Sequence, residues 1–165
     1  MCCKLLLLLT ALVACSPYGQ LSPGMRQPAT MTEGWLALGV DCAHGIMAVD
    51  LCPREGGSCV ATGPYQKGVD MKLLLLPAGT WCIERIIFTD SLVEGAVWEG
   101  AHICMPVLPR RVNYLGHHGF RLVGWHQQRI RATHFLVDHA DAMWRTVAHD
   151  YPIAALPAAA TEQGG

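Results

Sequence analysis

The sequence predicts a mostly β domain that ends in one α-helix. Short apolar segments rich in β-branched and aromatic residues alternate with glycine and proline turns along most of the chain. The continuous apolar run Leu73–Leu76, bounded by Pro77 and Gly79, is typical of a strand covered on both faces. Apolar residues recur at helical spacing only near the C-terminus. The chain therefore predicts a β domain with a closing helix.

The first residues predict export. Lys4 precedes an apolar run, Leu5–Ala14, which is shorter than the roughly 20 residues that span a bilayer. This pattern is typical of a signal peptide at residues 1–14. The tetrapeptide 12–15, Leu-Val-Ala-Cys, resembles a bacterial lipobox, which implies that the Cys15 thiol is lipidated and that Cys15 becomes the first mature residue. An ordinary signal peptide cut nearby and an uncleaved anchor are the alternatives.

Residues 15–32 predict a lipidated, flexible tether, because they are rich in Pro, Gly, Ser, Thr and Gln and poor in apolar residues. Acyl chains on Cys15 would anchor the chain to a membrane. Ser16 follows the lipidated cysteine, at the position where an aspartate would favour retention in the inner membrane. The lipobox resemblance therefore implies sorting to the outer membrane. We therefore expect a bacterial cell-envelope location, at the outer membrane and facing the periplasm.

About 150 residues follow the signal peptide, which suits one domain, predicted at residues 33–152 with a disordered tail at 153–165. Within it, the run Leu73–Leu76 is expected to be central, and to be adjacent to the strand that starts at Trp81. The predicted strands are Trp35–Val40, Ile46–Leu51, Cys59–Ala61, Leu73–Leu76, Trp81–Phe88, Ala96–Trp98, Ile103–Leu108, Val112–Leu115, Phe120–Trp125 and Ile130–Val137.

The predicted helix starts at Asp138, a good N-cap residue, and stops at Pro152. Asp141 would lie near the positive N-terminal end of the helix. Its apolar stripe consists of Ala140, Met143, Trp144, Val147, Ala148 and Tyr151.

Five cysteines remain after the signal peptide and Cys15 are set aside: Cys42, Cys52, Cys59, Cys82 and Cys104. An exported protein meets an oxidising compartment, so two disulfides and one odd thiol are the simplest arrangement. Cys82–Cys104 is favoured over two buried thiols, since both residues lie in predicted strands. Cys52–Cys59 is the easiest second bridge, across a glycine-rich turn. The spacing makes a poor zinc site, and sequence alone leaves the connectivity open.

A family resemblance joins several of these motifs. The segments Gly34–Leu38, Leu76–Cys82, Ile103–Cys104, Asn113–Gly116 and a helix ending His149–Pro152 occur in this order. Together they resemble uncharacterised proteobacterial lipoproteins with an LPAG-aromatic-Cys turn, an N-Y-x-G strand and a terminal helix ending in Tyr-Pro. That family is similar to small antiparallel β-sandwiches of the prealbumin-like kind. The chain departs from it at Met105 and at Pro109-Arg110, where an aromatic residue and a small turn such as Ala-Gly are usual.

Catalysis by Cys42 is one alternative function. The segment Asp41–Gly45 resembles the setting of the nucleophile in NlpC/P60-type peptidoglycan peptidases. Such a thiolate needs the N-terminus of a helix and an activating histidine. Gly45 and Pro53 leave little room for that helix, and neither His102 nor His118 lies in a matching motif. A structural cysteine is the preferred interpretation.

Metal binding is the second alternative. Histidines cluster in the last strands, and His118 with His126 or His134 on a neighbouring strand could bind copper, zinc or nickel. His117 and His118 should point to opposite faces of their strand, so they would not share an ion. We therefore prefer satisfied or solvent-facing histidines, with no metal and no cofactor.

Arginine is unevenly distributed. Five arginines and no acid lie between Arg110 and Arg131, and Arg121, Arg129 and Arg131 could form a basic face for phosphate or carboxylate groups. The alternative is a solvated face on which arginine stems cover apolar surface. The net charge of −1 gives no reason to expect nucleic acid.

These features lead us to expect a lipid-anchored envelope protein with a structural or binding role rather than an enzyme. Its expected partners are the membrane, through the anchor, and lipopolysaccharide, peptidoglycan or another envelope protein.

Overall fold

A computed structural model describes residues 18–25, 29–89, 97–98, 103–126 and 129–152, with backbone only at 97–98, 125–126 and 129–130. The described part of the chain is mostly β and carries one C-terminal helix, as the sequence predicts. The elements are β1 (Gly19–Gln20), β2 (Glu33–Cys42), β3 (Ile46–Pro53), β4 (Val60–Thr62), β5 (Gly68–Pro77), β6 (Gly79–Phe88), β7 (Val97–Trp98), β8 (Ile103–Val107), β9 (Val112–Asn113), β10 (His117–His126), β11 (Arg129–Val137) and α1 (Ala140–Asp150).

The strands form a small β-sandwich. One sheet has the order β1-β5-β2-β10-β11, with β9 also on β2, and the other is built from β4, β3 and β6, with β7 and β8 on β6. A pairing between β11 and β7, at Arg129 and Val97, connects the two sheets at one edge. Most pairings are antiparallel, but β9 and β10 run parallel to β2. These two strands run parallel to β2 because they do not follow it directly. The chain reaches them from β8, which belongs to the other sheet.

Strand β5 lies between two layers of apolar side chains, since Leu73 to Leu76 are each at most 1% exposed. Leu74 and Leu76 face the core between the sheets, whereas Leu73 and Leu75 pack under α1 with Met143 and Val147. The prediction of a strand covered on both faces is confirmed. Its predicted central position is wrong, because only the two-residue β1 lies outside β5. The helix, and not a place in the middle of the sheet, covers the second face.

The turn at Pro77–Gly79 carries the chain from one sheet to the other. β5 pairs with β1 and β2, whereas β6 pairs with β3, β7 and β8. The sequence predicted that Leu73–Leu76 and Trp81–Ile83 would lie in adjacent strands, and this is wrong. The two segments belong to different sheets and face each other across the same core.

The helix begins later than predicted, and fewer residues of its predicted apolar stripe are buried. Its N-cap position is His139, without a side-chain cap, although the Asp138 carboxylate accepts a hydrogen bond from the Ala140 amide at 2.9 Å. Met143, Val147 and Tyr151 are buried, but Trp144 is 42% exposed. In the described part of the chain, no helix is long and apolar enough to cross a membrane.

The predicted tether is partly wrong. Gly19 and Gln20 pair with Leu75 and Leu74, and the Leu21 amide donates to the Leu73 carbonyl at 2.8 Å. The Leu21 side chain is 3% exposed and belongs to the core under α1. One apolar residue in a polar segment is enough to dock it, because the edge of β5 offers unpaired backbone groups. The segment is thus a folded part of the domain from its first described residues.

Disulfides join both pairs that the sequence favours, Cys52–Cys59 and Cys82–Cys104. The second bridge links directly paired residues of β6 and β8, inside one sheet. The first closes the loop between β3 and β4.

Removing each bridge should cost stability in proportion to the loop that it closes. Loop entropy gives about 3.4 kcal/mol for the longer Cys82–Cys104 loop and about 2.4 kcal/mol for the Cys52–Cys59 loop. The sequence separations are 22 and 7 residues. Urea unfolding of the two paired Cys→Ala variants should therefore show the larger loss for Cys82 and Cys104. A larger loss for Cys52 and Cys59 would contradict this.

Candidate functional site

The two adjacent histidines of β10 face opposite sides of the sheet, as predicted. His117 aligns with Gly39, and its ring contacts the ring of His139 on the face that α1 covers. His118 aligns with Val40, whose side chain lies in the core between the sheets. Both rings are buried, at 1% and 2% exposure. Gly39 makes room for the His117 ring, since a Cβ at that position would lie 2.5 Å from it.

His117 belongs to a polar cluster where α1 meets the sheet, formed by Asp41, Tyr114, His117 and His139. The Tyr114 hydroxyl accepts from the His139 amide at 3.0 Å and lies 2.7 Å from His117 Nδ1. Its proton is thus available for donation to His117, which fits a neutral imidazole. Burial, and then the nearby His139, lowers the pKa of His117.

This cluster fastens the start of the helix. His139 has no side-chain cap, and Tyr114 takes up its amide instead, while His139 Nε2 lies 3.5 Å from the Asp41 carboxylate. Sequence reasoning missed Tyr114, His139 and Asp41, because they are far apart in the chain and no spacing links them. The contacts within the cluster are hydrogen bonds that hold the start of the helix against the sheet.

His118 and His134 form a pair on the other face. Their Nδ1 and Nε2 atoms are 3.0 Å apart and the rings are stacked. Such a hydrogen bond needs a donor and an acceptor nitrogen, so at least one ring is neutral. Burial lowers the pKa of both, that of His118 to about 4.

Of the two histidine pairs considered for a metal, the structure brings His118 and His134 together and keeps His118 and His126 apart. His118 and His126 are eight residues apart along β10, which is about 26 Å in an extended strand. His134 aligns with Phe120, near His118 and far from position 126. Among the described residues, no group of three or more His, Cys, Asp or Glu side chains could hold a metal ion.

Cys42 is the free cysteine among the described residues, and its surroundings are those of a structural residue. It ends β2 and is 1% exposed, with Sγ 3.6 Å from the Phe120 carbonyl oxygen. Burial raises the pKa of the thiol, whereas a nucleophilic cysteine needs a lowered pKa and access to substrate. No helix starts at Cys42, so the environment that a peptidase would need is not formed there.

Of the basic residues singled out in the sequence, Arg121 and Arg131 are exposed. The β10 and β11 registers put them near each other, since Arg121 pairs with Thr133 and Arg131 with Gly124. The Arg129 side chain lies outside the described residues, as does Cys15. The described part of this basic face is therefore an exposed arginine pair rather than a closed pocket.

A recess of about 890 Å³ opens at the end of the sandwich where the N-terminal segment begins. Tyr18 and Gly19 line it together with the β3–β4 loop and the β5–β6 turn. Gln20 bridges the two sheets there, because its side-chain oxygen accepts from the Thr62 hydroxyl at 2.8 Å and the Gly63 amide at 2.9 Å. In the described residues, no buried side-chain nitrogen or oxygen lacks a partner.

Comparisons with protein-family models, curated proteins and solved structures find no match to this chain.

Thiol titration tests the structural role of Cys42. In denaturant, the parent chain should expose one more reactive thiol than Cys42→Ala, and under native conditions the two should react equally, because burial and the raised pKa protect Cys42. Faster native reaction of the parent would contradict the structural assignment.

Acid should destabilise the fold through His118. Its folded-state pKa of about 4 lies below the ordinary 6.5, so the unfolded chain binds the proton first and stability falls as pH drops from about 6.5 to 4. The shift corresponds to about 3 kcal/mol. In His118→Phe, the free energy of unfolding should depend less on pH over this window. His149→Phe is the matched control, since the His149 side chain is 88% exposed. Equal pH slopes in parent and His118→Phe would contradict the assignment.

Proposed function

We propose that this protein is a bacterial envelope lipoprotein, anchored through lipid on Cys15 and facing the periplasm, most simply at the outer membrane. The Leu-Val-Ala-Cys sequence at 12–15, directly after an apolar segment, carries the proposal. We also propose that the chain belongs to the family of proteobacterial lipoproteins that its motifs resemble.

One feature of the folded domain supports export, and a second bears on how close an anchored domain would lie to the membrane. The disulfides Cys52–Cys59 and Cys82–Cys104 are of the kind that persists in oxidising compartments. Between Cys15 and the first described residue, Tyr18, lie only two residues, so a lipid on Cys15 would hold the domain close to the bilayer.

The role that fits these features is structural or ligand-binding rather than catalytic. The buried thiol of Cys42 favours its protonated form, His117 hydrogen-bonds Tyr114, and His118 hydrogen-bonds His134. Exposed Arg121 and Arg131 support binding of phosphate or carboxylate groups, as found in lipopolysaccharide, peptidoglycan or an acidic envelope protein.

Palmitate labelling tests the anchor. Cells that make the parent chain should incorporate labelled palmitate into it and retain it in the membrane fraction. Cys15→Ala should lose the label, because the acceptor thiol is gone. Cys42→Ala should keep it. Labelling that persists in Cys15→Ala would overturn the proposal.

A further inference from the structure

The loop at residues 108–111, between β8 and β9, is held by one side chain. Asn113 Nδ2 donates to the carbonyls of Leu108 and Arg111, at 3.0 and 3.1 Å, and to that of Trp35 at 3.1 Å. Its Oδ1 accepts from the Leu108 amide at 3.0 Å. The Arg110 amide also donates to the Glu33 carbonyl at 2.7 Å. These bonds fix the loop in one conformation against β2.

Arg110 is the one non-glycine residue with positive φ in the described part of the chain, at 58°. A side chain with a Cβ disfavours this conformation, which glycine adopts freely. Residues kept in such conformations are concentrated at functional positions. Glycine would adopt this φ at a lower conformational cost than arginine. The presence of arginine therefore indicates that its side chain has a function.

The loop presents both charge and apolar surface. Arg110 and Arg111 are exposed, Leu108 is 47% exposed, and the neighbouring Met31 is 71% exposed. Arg110 Nη1 lies 3.4 Å from the Met31 sulfur, so the two side chains form one surface. We call Met31, Leu108, Arg110 and Arg111 the basic end.

The basic end and the N-terminal segment lie at the same end of the sandwich. Gly19 pairs with Leu75, Leu75 with Trp35, and Trp35 with Val112, which is next to Arg111. At the usual strand spacing, Gly19 and Val112 are about 14 Å apart along this row. Cys15 can lie at most about 14 Å from Gly19. A bilayer that holds Cys15 is therefore within reach of the basic end.

We propose that the basic end is a membrane-docking surface that binds the headgroups of anionic phospholipids in the bilayer that carries the anchor. This inference rests on the proposed lipid anchor. Guanidinium groups match phosphate geometry, and each arginine near an anionic surface strengthens binding about fivefold. Met31 and Leu108 supply apolar contacts at the level of the headgroups.

The hairpin of β10 and β11 lies at the opposite end of the sandwich from the basic end. β10 runs parallel to β2 and away from the basic end, and beyond Phe120 it extends past the last residue of β2, Cys42. Docking by the basic end would direct the hairpin with Arg121 and Arg131 away from the anchoring membrane. The two arginine pairs therefore serve different partners, and only Arg110 and Arg111 face the lipid.

Fluorescence quenching tests the orientation. The full chain is made in cells, checked for palmitate and reconstituted in vesicles with or without phosphatidylglycerol in phosphatidylcholine. A fluorophore is attached to Met31→Cys or, at the other end, to Val69→Cys, which is 50% exposed, and a quencher is carried on the lipid headgroups. Cys42 is buried and does not compete for the label.

Position 31 should be quenched in phosphatidylglycerol vesicles and position 69 should not. Arg110→Ala with Arg111→Ala should reduce quenching at position 31 to the level at position 69, whereas Arg121→Ala with Arg131→Ala should leave it unchanged. Salt at 1 M should act like the first pair, because it shortens the screening length to about 3 Å.

Arg110→Gly separates docking from folding. It should raise the melting temperature, because glycine adopts the positive φ more easily, and still weaken quenching at position 31. Palmitate-labelled protein whose position 31 is not quenched, or is quenched as strongly in Arg110→Gly and in the double alanine variant as in the parent, would overturn the docking surface alone. A preparation without palmitate would overturn both the anchor and the surface that rests on it.

Discussion

Strand β5 is the element on which the other layers depend. Leu74 and Leu76 fill the space between the sheets, and Leu73 and Leu75 hold the helix. Its backbone pairs with β2 along one edge and with Gly19–Gln20 along the other. Because all four side chains are buried, a shift of β5 by one residue would exchange the two sets between both cores. The strand therefore also fixes where the N-terminal segment leaves the domain.

That exit point links the fold to the proposed function. If the chain had a long free tether, the domain could present any side to the membrane. The docked segment removes this freedom, since Leu21 is buried and its amide bonds to Leu73. The end of the sandwich near Gly19 would then be held near the proposed lipid on Cys15, and the arginines of the 108–111 loop share that end. With the proposed anchor, the strand register and the surface charge would define one orientation on the membrane.

The sequence predicted the strands and both disulfides well, because β-formers, turn residues and cysteines act locally. It failed where a distant partner decides the outcome. Leu21 docks because β5 offers an edge, and Leu73 and Leu75 are covered by a helix some 70 residues later. The Tyr114, His117 and His139 cluster shows no spacing in the sequence. His118 and His126 looked like neighbours by residue type, but an extended strand separates them.

The most direct test of this orientation is hydrogen exchange at the N-terminal segment of the full, membrane-bound chain. The amide of Leu21 should be protected at least about 100-fold relative to an unfolded chain, because it bonds to the Leu73 carbonyl and its side chain is buried. Exchange of Leu21 at the rate of an unfolded peptide would mean that residues 18–25 form a free tether. In that case the end of the sandwich that faces the membrane would not be fixed.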